Sequence, residues 1–230
     1  MNIVVATTKS WNTRNAEKLK DCYIDHNVSI LSEKEQLTDA FVESTSPDFI
    51  FFPHWSWIIP ASIYENYNCV VFHMTDLPFG RGGSPLQNLI VRGIYQTKIS
   101  AIKVSKGMDT GDVYFKEELD ISFGNADEIL SRASDVIFEK MIPRFLSEEL
   151  TPVPQVGEVV KFKRRTPEQS EIPEGLSQRQ IYDYIRMLDG EGYPTAFSRH
   201  GNKCVYYTDA TFDGTTVMAT ARFVKDSGEE

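Results

Sequence analysis

The stretch CVVFHMTDLPFGRGGSPLQNLI, residues 69–90, runs from a continuous apolar segment through a Pro- and Gly-rich loop into the start of a helix. The apolar run from Cys69 to Phe72 suits a strand covered on both faces of a parallel sheet. FIFF, from Phe49 to Phe52, is a run of the same kind, and the two read as central strands. Ser84 and Pro85 offer an N-cap and a preset first turn, with Leu86, Leu89 and Ile90 as a buried stripe. An ionisable ring, His73, therefore stands where a strand ends.

Outward from this stretch, short β-branched runs alternate with amphipathic helical segments, which is the pattern of βαβ units. NIVVAT reads as a first strand, and NTRNAEKLKDCY as a helix with Ala16, Leu19 and Tyr23 on one side. VSILS is a second strand, followed by a helix carrying Leu37, Ala40 and Phe41. ISAIKV and DVYFKEELDI are extended, and Asn125 with Glu128 opens a long helix that reaches about Leu146. The segment TPVPQVGEVVKFKRRTPEQSEIPEG then holds four of the eleven prolines and reads as a traversing linker. Beyond it, Ile181, Ile185 and Leu188 mark a short helix, and KCVYYTDATF and TTVMATARFV form a β-pair turned at Asp213 and Gly214. The expected division is residues 1–150, a linker over 151–175, and a small α+β unit over 176–230. The last residues, KDSGEE, read as disordered.

With 230 residues, 41% hydrophobic, the chain can bury one substantial core. The formal net charge of -9 argues against a polyanion as main partner. Cys22, Cys69 and Cys204 are widely spaced and suggest neither a disulfide framework nor a Cys-based metal site, so a reducing cytoplasm is expected. The N-terminal MNIVVATTKSWN has no signal-peptide pattern and no long apolar run follows, so no membrane is expected.

In open α/β sheets, ligands bind beyond the carboxyl ends of strands. Three clusters fall there. His73 is followed by Thr75, Asp76, Arg81, Gly82 and Gly83, and glycines before a helix start let backbone N–H groups approach an anion. A half-buried, satisfied histidine is the alternative. KGMDTGDVY, residues 106–114, places Asp109 and Asp112 around a turn, which is either an Asx-type turn or a carboxylate that fixes the His73 tautomer. FFPHWSWIIP places His54, Trp55 and Trp57 after a strand, either as core aromatics or as a flat wall for a heteroaromatic ligand. No spacing of a metal site is present, and a metal hydrolase using His54, His73, Asp76 and Asp109 lacks its motif.

Taken together, these stretches resemble the folate-dependent formyltransferases, the family that includes the methionyl-tRNA, glycinamide ribonucleotide and sugar N-formyltransferases. That family's Asn-x-His, Leu-Pro, Arg-Gly and helix-opening Pro resemble His73, Leu77 and Pro78, Arg81 and Gly82, and Pro85. Its later Asp-x-Gly resembles Asp109 in DTGD, and KFKRRTPEQSEI and IYDYIRMLDGEGYPTAF are similar to the segments after its catalytic domain. One position departs: Val71 stands where the family has Asn, and valine has no hydrogen-bond donor. His54 and Thr75 are the candidates to replace it.

The resemblance implies a Rossmann-like catalytic domain with a mostly parallel sheet. It implies 10-formyltetrahydrofolate as donor, with His73 bonding the developing oxyanion and Asp109 holding the ring. The pterin is expected between the loops of His54, Trp55, Ser56, Trp57 and Ile58 and of Ser105, Gly107 and Asp112. The resemblance is taken to be greatest with bacterial sugar N-formyltransferases, which makes the expected acceptor a dTDP-, GDP- or UDP-linked amino-dideoxy sugar for surface polysaccharide. Lys9, Ser10, Trp11, Asn12, Thr75, Arg81, Gly82 and Gly83 are then expected to meet the nucleotide sugar. No nucleic acid is expected as partner, and a homodimer through the C-terminal strands is one arrangement considered. A folate-dependent deformylase, or a non-catalytic folate or sugar-nucleotide binding module, are the alternative readings.

Overall fold

The apolar runs become the centre of a sheet, where every residue of them but Phe49 and Val71 is buried and those two are half-buried. A computed structural model describes residues 1–225. Strands β1 (Asn2–Ala6), β2 (Asn27–Leu31), β3 (Phe49–Phe52), β4 (Cys69–His73), β6 (Gln96–Lys103) and β7 (Val113–Asp120) form one sheet in the order β2-β1-β3-β4-β6-β7, while the short β5 (Phe79–Gly82) and β8 (Val160–Phe162) pair with each other. The pairs β1–β2, β1–β3 and β3–β4 are parallel, and β4–β6 is antiparallel. The expected α/β class with a mostly parallel sheet is what the chain adopts.

Alternation divides the two faces of this sheet. Val4 and Ala6 of β1 join Ile50 and Phe52 of β3 in one buried cluster with Leu31, Leu37, Val42, Ile63 and Cys69. On the opposite face Phe51 stacks near Phe49, Phe72 and Phe145, with ring centroids 5.3–6.0 Å apart. Helices α1 (Ser10–Cys22), α2 (Asp39–Thr45) and α3 (Ala61–Tyr64) connect the strands.

The long helix opens as expected, with Asn125 Oδ1 accepting from the Glu128 N–H and Glu128 accepting from the Asn125 N–H. It is not uniform. α5 (Ala126–Val136) passes through a π turn over Ile137–Met141 into α6 (Ile142–Ser147). Pro143 has no N–H for the helical ladder, and the wider turn just before it accommodates the missing bond.

The chain forms two compact units that are not contiguous in sequence. The first contains residues 1–82, 97–119 and 131–161; the second contains 83–96, 120–130 and the chain from Phe162 onward. In the second unit lie α4 (Pro85–Ile90), α7 (Gln178–Arg186) and a sheet of β9 (Ala196–His200), β10 (Lys203–Phe212) and β11 (Val217–Lys225). The turn between β10 and β11 is closed by Asp213, whose carboxylate accepts from the N–H groups of Thr215 and Thr216. Residue 225 ends β11, and the reading of 226–230 as disordered lies outside the described residues.

Ser84 departs from its reading as a side-chain cap. It occupies the N-cap position of α4 at φ 50° with no side-chain hydrogen bond to the helix amides, and its Oγ accepts instead from the Arg165 N–H at 3.0 Å.

The second unit is centred on a buried ion pair. Arg186, 1% exposed, donates to Asp183 at 2.6 Å and to the carbonyls of Ile121 and Gly124, while Asp183 also accepts from Tyr95 and Arg179. Asp183→Ala leaves the guanidinium buried without its counter-charge, and the expected loss is about 3–5 kcal/mol, read from the urea midpoint. Adding Arg186→Leu recovers much of that loss.

Candidate active site

Strand β4 ends at His73, and the chain then folds back on itself over Thr75 to Gly80. Thr75 N–H donates to the His73 carbonyl at 3.0 Å and Leu77 N–H to the Thr75 carbonyl at 3.0 Å. From β6, Ser100 Oγ donates to the Thr75 carbonyl at 2.7 Å, and Lys116 of β7 bonds the Asp76 carboxylate and the Leu77 carbonyl. These bonds hold the loop, including a cis peptide at Leu77-Pro78, so that the Gly80 carbonyl faces His73 Nε2 at 2.8 Å. The ring is 8% exposed.

The other ring nitrogen, Nδ1, lies 3.5 Å from Asp109 Oδ1. The second Asp109 oxygen accepts from the Gly82 N–H at 2.9 Å. Of the two readings of KGMDTGDVY, the structure selects the carboxylate that reaches the histidine: the local turn is closed by Thr110, whose hydroxyl donates to the Lys106 carbonyl. Asp109 itself has φ 54°, a left-handed backbone that aspartate tolerates better than most residues. The loop returns to the sheet at Gly111, where a Cβ would sit 1.7 Å from the Lys103 carbonyl oxygen, so only glycine fits.

Gln155 was not expected from the sequence. Its Oε1 accepts from Arg81 Nε and Nη2 at 3.0 and 2.8 Å, and its Nε2 donates to the carbonyls of Asp109 and Gly111 at 2.9 and 2.7 Å. It comes from the proline-rich segment, whose only sequence signal is composition. Ser100 and Lys116 were missed for a similar reason, since a polar residue on a strand looks like an exposed one until the loop above it is placed.

After β3 the chain turns at His54, φ 57°, and this corner is tied down by buried polar groups. Thr7 Oγ1 and Asn12 Nδ2 both donate to the Pro53 carbonyl, at 2.6 and 3.3 Å. Trp11 meets the His54 ring edge-on at 6.4 Å, and the Lys9 ammonium lies 5.6 Å from the Trp11 ring. Burial, with the Lys9 charge added, lowers the His54 pKa to about 4, so this imidazole is neutral near pH 7. Trp55 and Trp57 pack edge to face at 4.7 Å, and the Trp55 indole N–H is buried without a hydrogen-bond partner among the described residues.

The other expected residues fall as follows. Ser10, Ser56, Ile58, Ser105, Gly107 and Asp112 are exposed, whereas Trp11 and Asn12 are buried. Thr75 is fully buried, with its hydroxyl toward the Gly80 carbonyl at 3.4 Å. Gly83 belongs to the second unit, where a Cβ would stand 2.7 Å from Arg164 Cβ. Val71 packs against the cluster of Leu77, Ile102 and Val113.

Residues 2–146 match the family described as formyl transferase, and residues 167–224 match one described as methionyl-tRNA formyltransferase, C-terminal domain. A solved structure titled methionyl-tRNA formyltransferase from Clostridium thermocellum is 54% identical, covers 98% of this chain and 99% of its own, and superposes with a TM-score of 0.94. A curated methionyl-tRNA formyltransferase of Rickettsia massiliae is 24% identical over 195 residues, 82% of this chain and 64% of that protein. The chain thus spans about three fifths of the length of the curated relatives it matches.

A 4-N formyltransferase from Francisella tularensis is only 19% identical, with a TM-score of 0.68 over 87% of this chain and 93% of its own, and shows the fold alone. These findings correct the expected acceptor: the closer relatives carry methionyl-tRNA in their names, and the sugar enzymes are distant. They correct the exclusion of a nucleic-acid partner as well. The net charge of -9 averages over the surface and hides a local run, KFKRR, whose Lys161, Lys163 and Arg164 are exposed.

The His54 shift has a pH consequence. The unfolded chain takes up a proton near pH 6.5 and the folded one only near pH 4, so the stability tied to neutral His54 is complete above 6.5 and is lost as pH falls toward 4. His54→Asn keeps a side chain that accepts the positive φ. Its melting temperature is expected to fall less steeply than that of the unsubstituted protein across this window, and parallel curves would assign the acid sensitivity elsewhere.

Proposed function

The chain belongs to the formyl transferase family, and from that premise we propose that it transfers a formyl group from 10-formyltetrahydrofolate to the amino group of methionyl-tRNA. The observation that carries this reading is the His73–Asp109 pair at the carboxyl end of central strand β4, in a chain 54% identical to a protein named for that reaction. The residues of the corner after β3 suit a flat heteroaromatic group such as a pterin. Trp55 leaves a buried indole N–H unpaired, Trp57 packs beside it, and neutral His54 avoids bringing a charge into the corner. When bound, the folate supplies an activated one-carbon acyl group.

The chain's own part is to hold and move a proton. Asp109 fixes His73 through Nδ1, and the bond from Nε2 to the Gly80 carbonyl is the one exchanged for the reacting oxygen as charge develops on it. Val71, where the family has Asn, is packed among apolar side chains and brings no donor, so that task rests more heavily on His73. The exposed Lys163 and Arg164 suit the phosphates of a transfer RNA. Three widely spaced cysteines suit a reducing cytoplasm, and among the described residues no helix is long and apolar enough to cross a membrane.

Incubation with 10-formyltetrahydrofolate and methionyl-tRNA should yield formylmethionyl-tRNA, detectable by mass spectrometry. His73→Ala should lower the rate by about 10²–10⁴-fold with an unchanged circular dichroism spectrum. Folate binding without any formylated transfer RNA would mean that the acceptor is wrong, and full activity of His73→Ala would remove the histidine from the chemistry.

A further inference from the structure

We propose that Gln155 is a positioning residue that sets the Asp109 carboxylate against His73. Its amide reaches the two chain segments on which the pair depends. Oε1 takes both N–H groups of one edge of the Arg81 guanidinium, and Nε2 gives its hydrogens to the carbonyls of Asp109 and Gly111. That exhausts the donors and acceptors of a side-chain amide. The orientation has no alternative, because a flipped amide would set its NH2 against a guanidinium and its oxygen against two carbonyls.

These bonds close a circuit. Arg81 is joined covalently to Gly82, Gly82 N–H donates to the Asp109 carboxylate, and the Asp109 carbonyl returns to Gln155. A non-glycine residue at φ 54° persists when its surroundings over-determine it, and this circuit grips Asp109 at both its backbone and its side chain. Gln155 is itself anchored on either side. Val153 exchanges backbone hydrogen bonds with Val113 at 2.8 and 2.9 Å, and Val160 N–H donates to the Pro78 carbonyl at 3.3 Å. The segment from Val153 to Val160 is therefore a strap across the loops that carry His73 and Asp109, and Gln155 is the side chain through which it acts on the carboxylate.

The catalytic consequence rests on the formyl-transfer reading; the positional claim does not. Two measurements separate them. The first is hydrogen exchange of the Gly82 amide, whose N–H is held by the Asp109 carboxylate. In Gln155→Leu and in Gln155→Glu, which keeps an acceptor for Arg81 but cannot donate to the two carbonyls, exchange at Gly82 should rise about tenfold or more, while amides of β1 and β3 keep their protection. Unchanged protection at Gly82 in both variants would overturn the proposal, as would a uniform loss across the sheet.

The second is a double-mutant cycle on formylation. Gln155→Leu should lower kcat by about tenfold to a hundredfold with a smaller change in KM, and cost less than about twofold when Asp109 is already Asn. Additive losses would make Gln155 merely structural. If the unsubstituted protein forms no formylmethionyl-tRNA, the proposed function fails by itself, and the Gly82 exchange still decides the role of Gln155.

Discussion

A carboxylate held between a backbone N–H and an imidazole is the interaction on which the candidate site depends. Asp109 accepts from Gly82 at 2.9 Å with one oxygen and faces His73 Nδ1 at 3.5 Å with the other. Neither oxygen could be placed without the fold. His73 is delivered by a strand that is apolar from Cys69 to Phe72, and its first polar position lies where that strand leaves the sheet. Asp109 is delivered by the loop after β6, which runs antiparallel to β4 with Lys103 beside Val70, so that this loop has to return toward the carboxyl end of β4 to reach His73. The path of that returning loop thus makes neighbours of two segments that are separated by dozens of residues in the chain.

The same logic explains the ring of less conspicuous residues around the pair. Ser100, Lys116 and Gln155 touch backbone carbonyls of the two loops and no reacting group. A loop that emerges from a buried strand carries carbonyls that no ladder partner satisfies, and side chains from adjacent elements take that place. Site geometry here is therefore a by-product of satisfying loop backbone. In the second unit the buried Arg186 does the corresponding work for the carbonyls of Ile121 and Gly124.

The total charge of this chain does not describe its surface. A net charge of -9 sums groups that a partner never meets together. Several carboxylates are already occupied: Asp76 by Lys98 and Lys116, and Asp183 by Arg179 and Arg186. The exposed cations of the KFKRR run remain. Local placement decides what a macromolecular partner sees within a Debye length, and the total does not.

By itself, the sequence determined the strands at 49–52 and 69–73, the carboxyl-end positions of His73, His54 and Asp109, the Asn125–Glu128 helix start and the Asp213 turn. All of these depend on local periodicity or on bonds within a few residues. Only the tertiary structure decided that Asp109 serves Gly82 and His73 rather than its own turn. It also decided that Ser84 serves the Arg165 backbone rather than its helix, that the π turn precedes Pro143, and that Gln155 grips a loop 46 residues upstream. The physical reason is that such bonds are chosen by competition among all the groups that the fold brings within about 3 Å, and a linear pattern records none of those competitors.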